Sequence, residues 1–367
     1  MKKIAVIGAG IFGCSAALEL AKKHDVSIFE RSAEILSGAS THNHLRHHYG
    51  YHYPRSKETA MESLSGRKGF EKEYGDCVVK SFPAYYAIAK QVSKSTPEEF
   101  IKFCDELHLK YEIVEPDPEI FNKSEIVMCL KTPEPAYDPG ILKNIVEKKL
   151  ENSKVKLKLR HEIIGGSILK DESKKLKIKN SEKIYEEEFD IVVSAIYSNF
   201  NKINEWFGLP RKKVHYALME LLDMELPIKE RIAAMIIDGD FSTFVPSGKP
   251  GIVRLGHVKK SVLKEIISDS LDTHLIASEN IESKKDRIIK ESIKYYPIIK
   301  RAKFLKSIFV TRVVKANVED TDERPTEITE HGNGIYSIFA GKVITCIDTA
   351  RKIAREIDKS FKSAVLT

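Results

Sequence analysis

Two stretches of this chain carry residue types and spacings that could do chemistry. In the first, Gly8, Gly10 and Gly13 form a G-x-G-x-x-G pattern, and Glu30 closes the segment that follows. That grouping suits a dinucleotide. Gly8 allows a tight turn, Gly10 lets the backbone approach a pyrophosphate, and Gly13 lets helix and strand pack closely. The N-terminus of the helix after the glycines faces the phosphates, and the Glu30 carboxylate accepts hydrogen bonds from ribose hydroxyls. The second stretch, Ser37 to Pro54, holds five of the twelve histidines: His42, His44, His47, His48 and His52. Imidazole titrates near neutral pH, which suits proton transfer. Such a cluster could also ligate a metal, but no Asp or Glu stands nearby to complete a centre, so no metal site is expected.

Each stretch needs a scaffold. Ile4-Ala5-Val6-Ile7 reads as a buried strand, Cys14 to Lys22 as a helix, and Val26 to Phe29 as a second strand ending at Glu30. The histidine-rich segment lacks any period and reads as a loop, the usual carrier of function on a rigid frame. Ser56 to Tyr74 reads as a helix with Ser56 as its cap, and Thr96 with Pro97 opens another that runs to Leu107. Strands are expected at Val78-Val79, Ala84 to Ala89 and Tyr111 to Val114, and a helix from Ile141 to Leu150. Lys-rich alternation from Lys154 to Lys183 predicts strands with one solvated face, turning at Asp171 to Ser173. Phe189 to Ala195 reads as a buried strand. Val214 to Glu225, Ile232 to Ile237, Ser242 to Val245 and Ile252 to Gly256 suggest a broad sheet. Val262 to Ile267 and Lys284 to Tyr295 read as amphipathic helices. Ile308 to Arg312 and Ile335 to Phe339 read as strands, Glu319 to Thr329 as a loop, and Thr345 to Ser360 as the last helix.

Composition sets outer limits. The chain has 367 residues, 42% hydrophobic and 31% charged, which fits a globular protein of two domains. No apolar run approaches the roughly twenty residues that span a bilayer. A strand beginning at residue 4 leaves no room for a signal peptide. Five scattered cysteines without a C-x-x-C fit reduced thiols, and so a cytoplasmic setting. The net charge of +7 raises a nucleic-acid reading, but the basic residues interleave with acids, as on a solvated surface.

Several motifs together resemble the FAD-dependent oxidoreductases of the D-amino acid oxidase superfamily, from one end of the chain to the other. They are Gly8 to Gly13 with Glu30-Arg31, then Gly38-Ala39-Ser40 with Asn43, then Asp138-Pro139 followed by Leu142. Ser194 to Ser198 stands where the family has A-G-x-W-S and departs from it. Arg324-Pro325 is similar to the family's R-P dipeptide, and Gly341-Lys342-Val343-Ile344-Thr345 to its C-terminal flavin-contacting turn. His48 to Pro54 is similar to a stretch of L-2-hydroxyglutarate oxidases and dehydrogenases. Gly341 to Thr345 also echoes glycerol-3-phosphate dehydrogenases, which likewise oxidise an alcohol carbon.

The resemblance implies an α/β fold: a Rossmann-like FAD-binding domain with an inserted mixed-sheet α+β substrate domain. The FAD-binding domain is expected over residues 1–76, 134–212 and 322–367, and the substrate domain over 77–133 and 213–321. The implied reaction takes hydride from a C–H beside a hydroxyl in a small carboxylate substrate of the 2-hydroxy-acid kind, with oxygen or a quinone as acceptor. The alternative is an amino acid or amine oxidase of the glycine or D-amino acid oxidase type. An NAD-dependent dehydrogenase leaves Arg324-Pro325 and the Gly341-Lys342 turn unexplained, and a flavoprotein acting on nucleic acid is more distant still.

Implied FAD contacts are Gly8, Gly10, Gly13, Glu30, Arg31, Ser40, Asn43, Gly341, Lys342 and Ile344. FAD is expected to be non-covalent rather than linked through His42, where some superfamily members attach it. His48 is the candidate base, with His52 as its substitute. Arg324 is the candidate clamp for the substrate carboxylate, with Arg46 and Arg254 as alternates. Its competing fate is an ion pair with Asp320, Asp322 or Glu323. Lys342 is expected either to stabilise the reduced ring or to be solvated, with Gly341 alone serving the turn.

Overall fold

The computed structural model describes residues 1–270, 281–318, 321 and 323–364, with side chains described as far as Ser360. The run Ile4 to Ile7 forms a strand because its side chains are apolar on both faces, which only a sheet covered on both sides can bury. It is the middle of β1 (Lys3–Ile7), and Ile4, Ala5 and Val6 are fully buried. The glycines follow, then α1 (Ile11–Leu20) and β2 (Asp25–Glu30).

These elements anchor a six-stranded sheet in the order Glu327–Glu330, Ile335–Phe339, Ile191–Ser194, β1, β2, Lys156–Leu159. All its pairings are parallel except that of the edge strand Glu327–Glu330. α1 and the C-terminal helix Cys346–Ala364 pack together over one face, with Ile347, Ile353 and Ile357 in the shared core. A three-stranded antiparallel sheet, Glu162–Ile168, Lys174–Lys179 and Ile184–Phe189, flanks it and alternates buried with exposed residues as its Lys-rich sequence requires.

The second large sheet has nine strands and is mixed: Ala84–Ala89 runs parallel to Ala233–Ile237, and the other pairings are antiparallel. Its strands come from residues 84–132 and 214–315, whereas those of the parallel sheet come from 3–30, 156–194 and 327–339. The long strand Val214–Glu225 is its spine, paired along its length with Lys303–Lys315.

Three local expectations need correction. Val262 to Ile267 is no helix; it lies in the strand Val262–Ser268, paired with Val214 to Met219. A register shift between Leu218 and Met219 breaks its two-residue alternation, so that its apolar spacing imitates a helix. Ser56 precedes α2 (Lys57–Tyr74) but does not cap it; its hydroxyl bonds Thr59 Oγ1 at 2.7 Å instead. The expected loop 319–329 ends in the strand Glu327–Glu330, and Glu319, Asp320 and Asp322 lie outside the described residues. Thr96 does cap its helix, in a reciprocal pair of hydrogen bonds with Glu99.

Candidate active site

A cavity of about 1440 Å³ runs between the two large sheets, lined by Gly8, Gly10, Glu30, Arg31, Ser40, Asn43, Gly341 and Lys342. At one end lies the glycine turn. Gly8 has φ +96°, and a Cβ on Gly13 would stand 1.8 Å from the Gly8 carbonyl oxygen, so Gly13 serves packing and does not face the cavity. α1 begins at Gly10 with no side chain capping it. Ile11 N–H donates to Ser40 Oγ at 2.9 Å, which puts a hydroxyl at the positive end of the helix. The Glu30 carboxylate accepts from Ala9 N at 2.9 Å and Ser32 N at 2.8 Å. Helix N-terminus, close backbone and acid at the strand tip fit a dinucleotide such as FAD.

The histidine loop is organised by its own alternation. Residues 45–47 run antiparallel to 135–137: Tyr137 N–H donates to Leu45 O, Arg46 bridges Ala136, and His47 N–H donates to Pro135 O. Tyr49 N–H then donates to the buried Glu134 carboxylate at 2.7 Å, and Tyr86 O–H donates to the other oxygen at 2.6 Å. In such an extended segment, alternate residues face opposite ways. Leu45 enters the core, while His47 and Tyr49 meet Glu71, each at 3.0 Å. Arg46 and His48 face the cavity, joined there by His42, His44, His52 and Tyr53.

Cations outnumber acids at this end, where Arg46 faces the buried Glu134 carboxylate and holds it down against the effect of burial. Burial holds the His48 and His52 imidazoles well below their ordinary range, and Arg46 and Lys342 push both further down. His44 is pushed down to about 3 by burial, with Arg46, Arg254 and Arg312 adding to it. These rings are therefore neutral near pH 7 and able to accept a proton. Arg46 Nε and Nη1, and Nδ1 of His44, His48 and His52, are buried with no hydrogen-bond partner among the described residues. Four acids that line the cavity are ion-paired: Asp238 with Arg55, Asp240 with Lys259, Glu265 with His215 and Glu323 with Lys315.

The remaining expected residues separate into two groups. Arg324 lines the cavity, its main-chain N–H on Thr59 Oγ1 at 3.1 Å and its Nη1 3.4 Å from the Glu323 carbonyl. Of its three suggested acidic partners, only Glu323 is described, and that carboxylate meets Lys315. Lys342 is buried under it, with Nζ 3.4 Å from the Arg324 carbonyl. Gly341 is required there, because a Cβ would stand 2.3 Å from that same oxygen. Arg254 and Ile344 do not line the cavity. Arg254 spends its donors on Asp223, Ser247 and the carbonyls of Thr41 and Asn43, so it fastens the histidine loop to the mixed sheet instead of offering itself to substrate. Ile344 is fully buried in the core beneath the turn, where its apolar side chain belongs. Asn43 braces the loop, bonding Tyr137 Oη at 2.6 Å and Leu45 N at 2.6 Å. Sequence reasoning missed Glu134, Tyr53 and Arg312. Arg312 alone left a sign, as a lone cation in a strand.

Fold and cavity together define a dinucleotide-binding redox enzyme, with a parallel-sheet nucleotide half and a mixed-sheet half that covers the reacting end. The chain belongs to the DAO family of FAD dependent oxidoreductases, whose profile matches residues 3–307. Its cofactor is FAD. The chain is 25% identical over 376 residues to the FAD-dependent monooxygenase kojA of Aspergillus flavus, spanning 96% of this chain and 84% of that one. It is 23% identical to the FAD-dependent monooxygenase FPY4 of Fusarium mangiferae, over 97% and 91%. Among solved structures it resembles L-alpha-glycerophosphate oxidase from Mycoplasma pneumoniae with FAD bound, at TM-score 0.76 and 14% identity, covering 96% of this chain and 94% of that one. Glycine oxidase from Geobacillus kaustophilus gives TM-score 0.74 at 14% identity, over 98% and 95%.

Proposed function

We propose that this enzyme oxidises the hydroxyl-bearing carbon of a small anionic substrate of the 2-hydroxy-acid class. One observation carries the reading: Arg46 presents two buried nitrogens, Nε and Nη1, without hydrogen-bond partners among the described residues, on the cavity that His48 and His52 also line. A guanidinium donates in-plane N–H bonds to a carboxylate, and leaving two of its buried nitrogens without an acceptor is costly. Arg324 is the second candidate for that contact. His48 accepts the hydroxyl proton, with His52 6.1 Å away between ring centres as the alternate acceptor. The substrate carboxylate offsets the surrounding cations and so raises the affinity of His48 for that proton. FAD, when bound, takes up the hydrogen and the two electrons of the C–H bond.

The charge pattern favours a hydroxy acid over an amino acid, since an ammonium group would meet Arg46 and Lys342. Amino acid oxidation is the second reading, because the same neutral imidazoles could deprotonate an ammonium. FAD is proposed to be held without a covalent bond to His42. The test is the visible spectrum of the yellow protein under anaerobic conditions, before and after adding L-2-hydroxyglutarate, lactate, glycine or a D-amino acid. Bleaching by a hydroxy acid supports the reading, and bleaching by amino acids alone overturns it. With an oxidised substrate in hand, Arg46→Lys raises KM about tenfold or more if Arg46 is the clamp. Oxygen uptake compared with reduction of a soluble quinone identifies the acceptor.

A further inference from the structure

Tyr53 stands at the centre of the groups just described. Its ring centroid lies 5.5 Å from that of His48 and 5.2 Å from that of His52, and the Lys342 Nζ sits 3.9 Å from its centre. The side chain is buried, 6% exposed, and lines the cavity. Its backbone is fixed on both sides, with Tyr53 N–H donating to Gly50 O at 3.2 Å and Ser56 N–H donating to Tyr53 O at 3.1 Å. Gly50 supplies the bend with φ +102°. The ring therefore has little freedom to move away.

We infer that Tyr53 is a positioning residue, its ring seating the Lys342 ammonium and spacing the His48 and His52 imidazoles around it. An ammonium ion is drawn to the electron-rich face of an aromatic ring, and more strongly where water is excluded. Lys342 reaches from the turn after Ile335–Phe339, on the nucleotide half, and Tyr53 comes from the histidine loop. Their contact links the two sides of the cavity. Without the ring, the Lys342 ammonium loses the aromatic face it packs on and keeps only its other contacts, the Arg324 carbonyl at 3.4 Å among them, so its position is less closely defined. The face of the ring carries the effect; the phenol oxygen does not.

The inference rests on Lys342 lying at the cofactor and is independent of which substrate is oxidised. Sulfite is a suitable probe, since its affinity for the FAD-loaded protein, read from loss of flavin colour, responds to positive charge at the flavin and requires no turnover. Tyr53→Phe is expected to bind sulfite within about twofold of the parent, and Tyr53→Leu about tenfold more weakly, approaching Lys342→Met. A ring-fluorinated phenylalanine at position 53 keeps the shape while draining the ring face, and is also expected to weaken sulfite binding. It decides the matter if Tyr53→Leu does not fold. Unchanged sulfite affinity in Tyr53→Leu and in the fluorinated protein overturns the inference. So does unchanged affinity in Lys342→Met. None of these outcomes depends on whether a hydroxy acid or an amino acid bleaches the flavin.

Discussion

Lowering the pH from 7 to 5 should destabilise this protein chiefly through its histidines. Burial and neighbouring cations hold His44 at about 3 in the fold, against an ordinary value near 6.5. A histidine with a depressed folded value contributes stability that is complete above 6.5 and is lost as pH falls, because the unfolded chain takes up the proton first. From pH 7 to pH 5 that loss is about 2 kcal/mol for His44 alone. His48 and His52 shift in the same direction and add to it. Glu71, held at about 2 by its bond to His47, loses its contribution as pH falls from the ordinary 4.5 toward 2, below this window. Burial raises Glu134, which acts in the opposite sense but equally in parent and variant. The assay is urea denaturation at both pH values with FAD saturating, on the parent and on His44→Gln. The parent should lose about 2 kcal/mol more than the variant on acidification. Equal losses in the two proteins would refute the claim that a buried, neutral His44 sits among these cations.

Three further outcomes follow from the geometry. Gly13→Ala would force a methyl group to within 1.8 Å of the Gly8 oxygen, so the turn must open; FAD affinity should fall by about tenfold or more, measured by titrating the apoprotein. Glu134→Gln retains an acceptor for only one of the two donors, Tyr49 N–H and Tyr86 O–H. Its kcat per bound flavin should fall about tenfold, measured at saturating substrate against the parent. Acid denaturation should release all of the yellow colour from the protein pellet, and colour that stays with the polypeptide would reveal a covalent link at His42.

The nucleotide end of the site was legible in the chain because its chemistry is local. Gly8, Gly10, Gly13 and Glu30 lie within one β–α–β unit, and steric demands on consecutive residues leave a readable pattern. Capping at Thr96 was legible for the same reason, since both partners lie within four residues of each other. The parallel sheet followed from apolar runs that only a doubly covered sheet can bury. The strand Val262–Ser268 was misread because its bulge depends on the partner strand, which nothing in its own sequence describes.

The reacting end was only half written in the sequence. Residue types there announced acid–base chemistry, but which histidines face the cavity depends on an extended segment lying against residues 135–137, nearly ninety positions away. That contact turns Arg46 and His48 inward and sends His47 to Glu71. Arg254 shows the converse: a cation plausible for substrate by type is consumed by Asp223 and the loop carbonyls once the sheet forms. The sequence alone determined the cofactor class and the kinds of side chain at hand, since both rest on local geometry and intrinsic chemistry. Only the tertiary structure decided which of them meet, because burial and long-range pairing select the orphaned Arg46, the neutral imidazoles and the Tyr53–Lys342 contact.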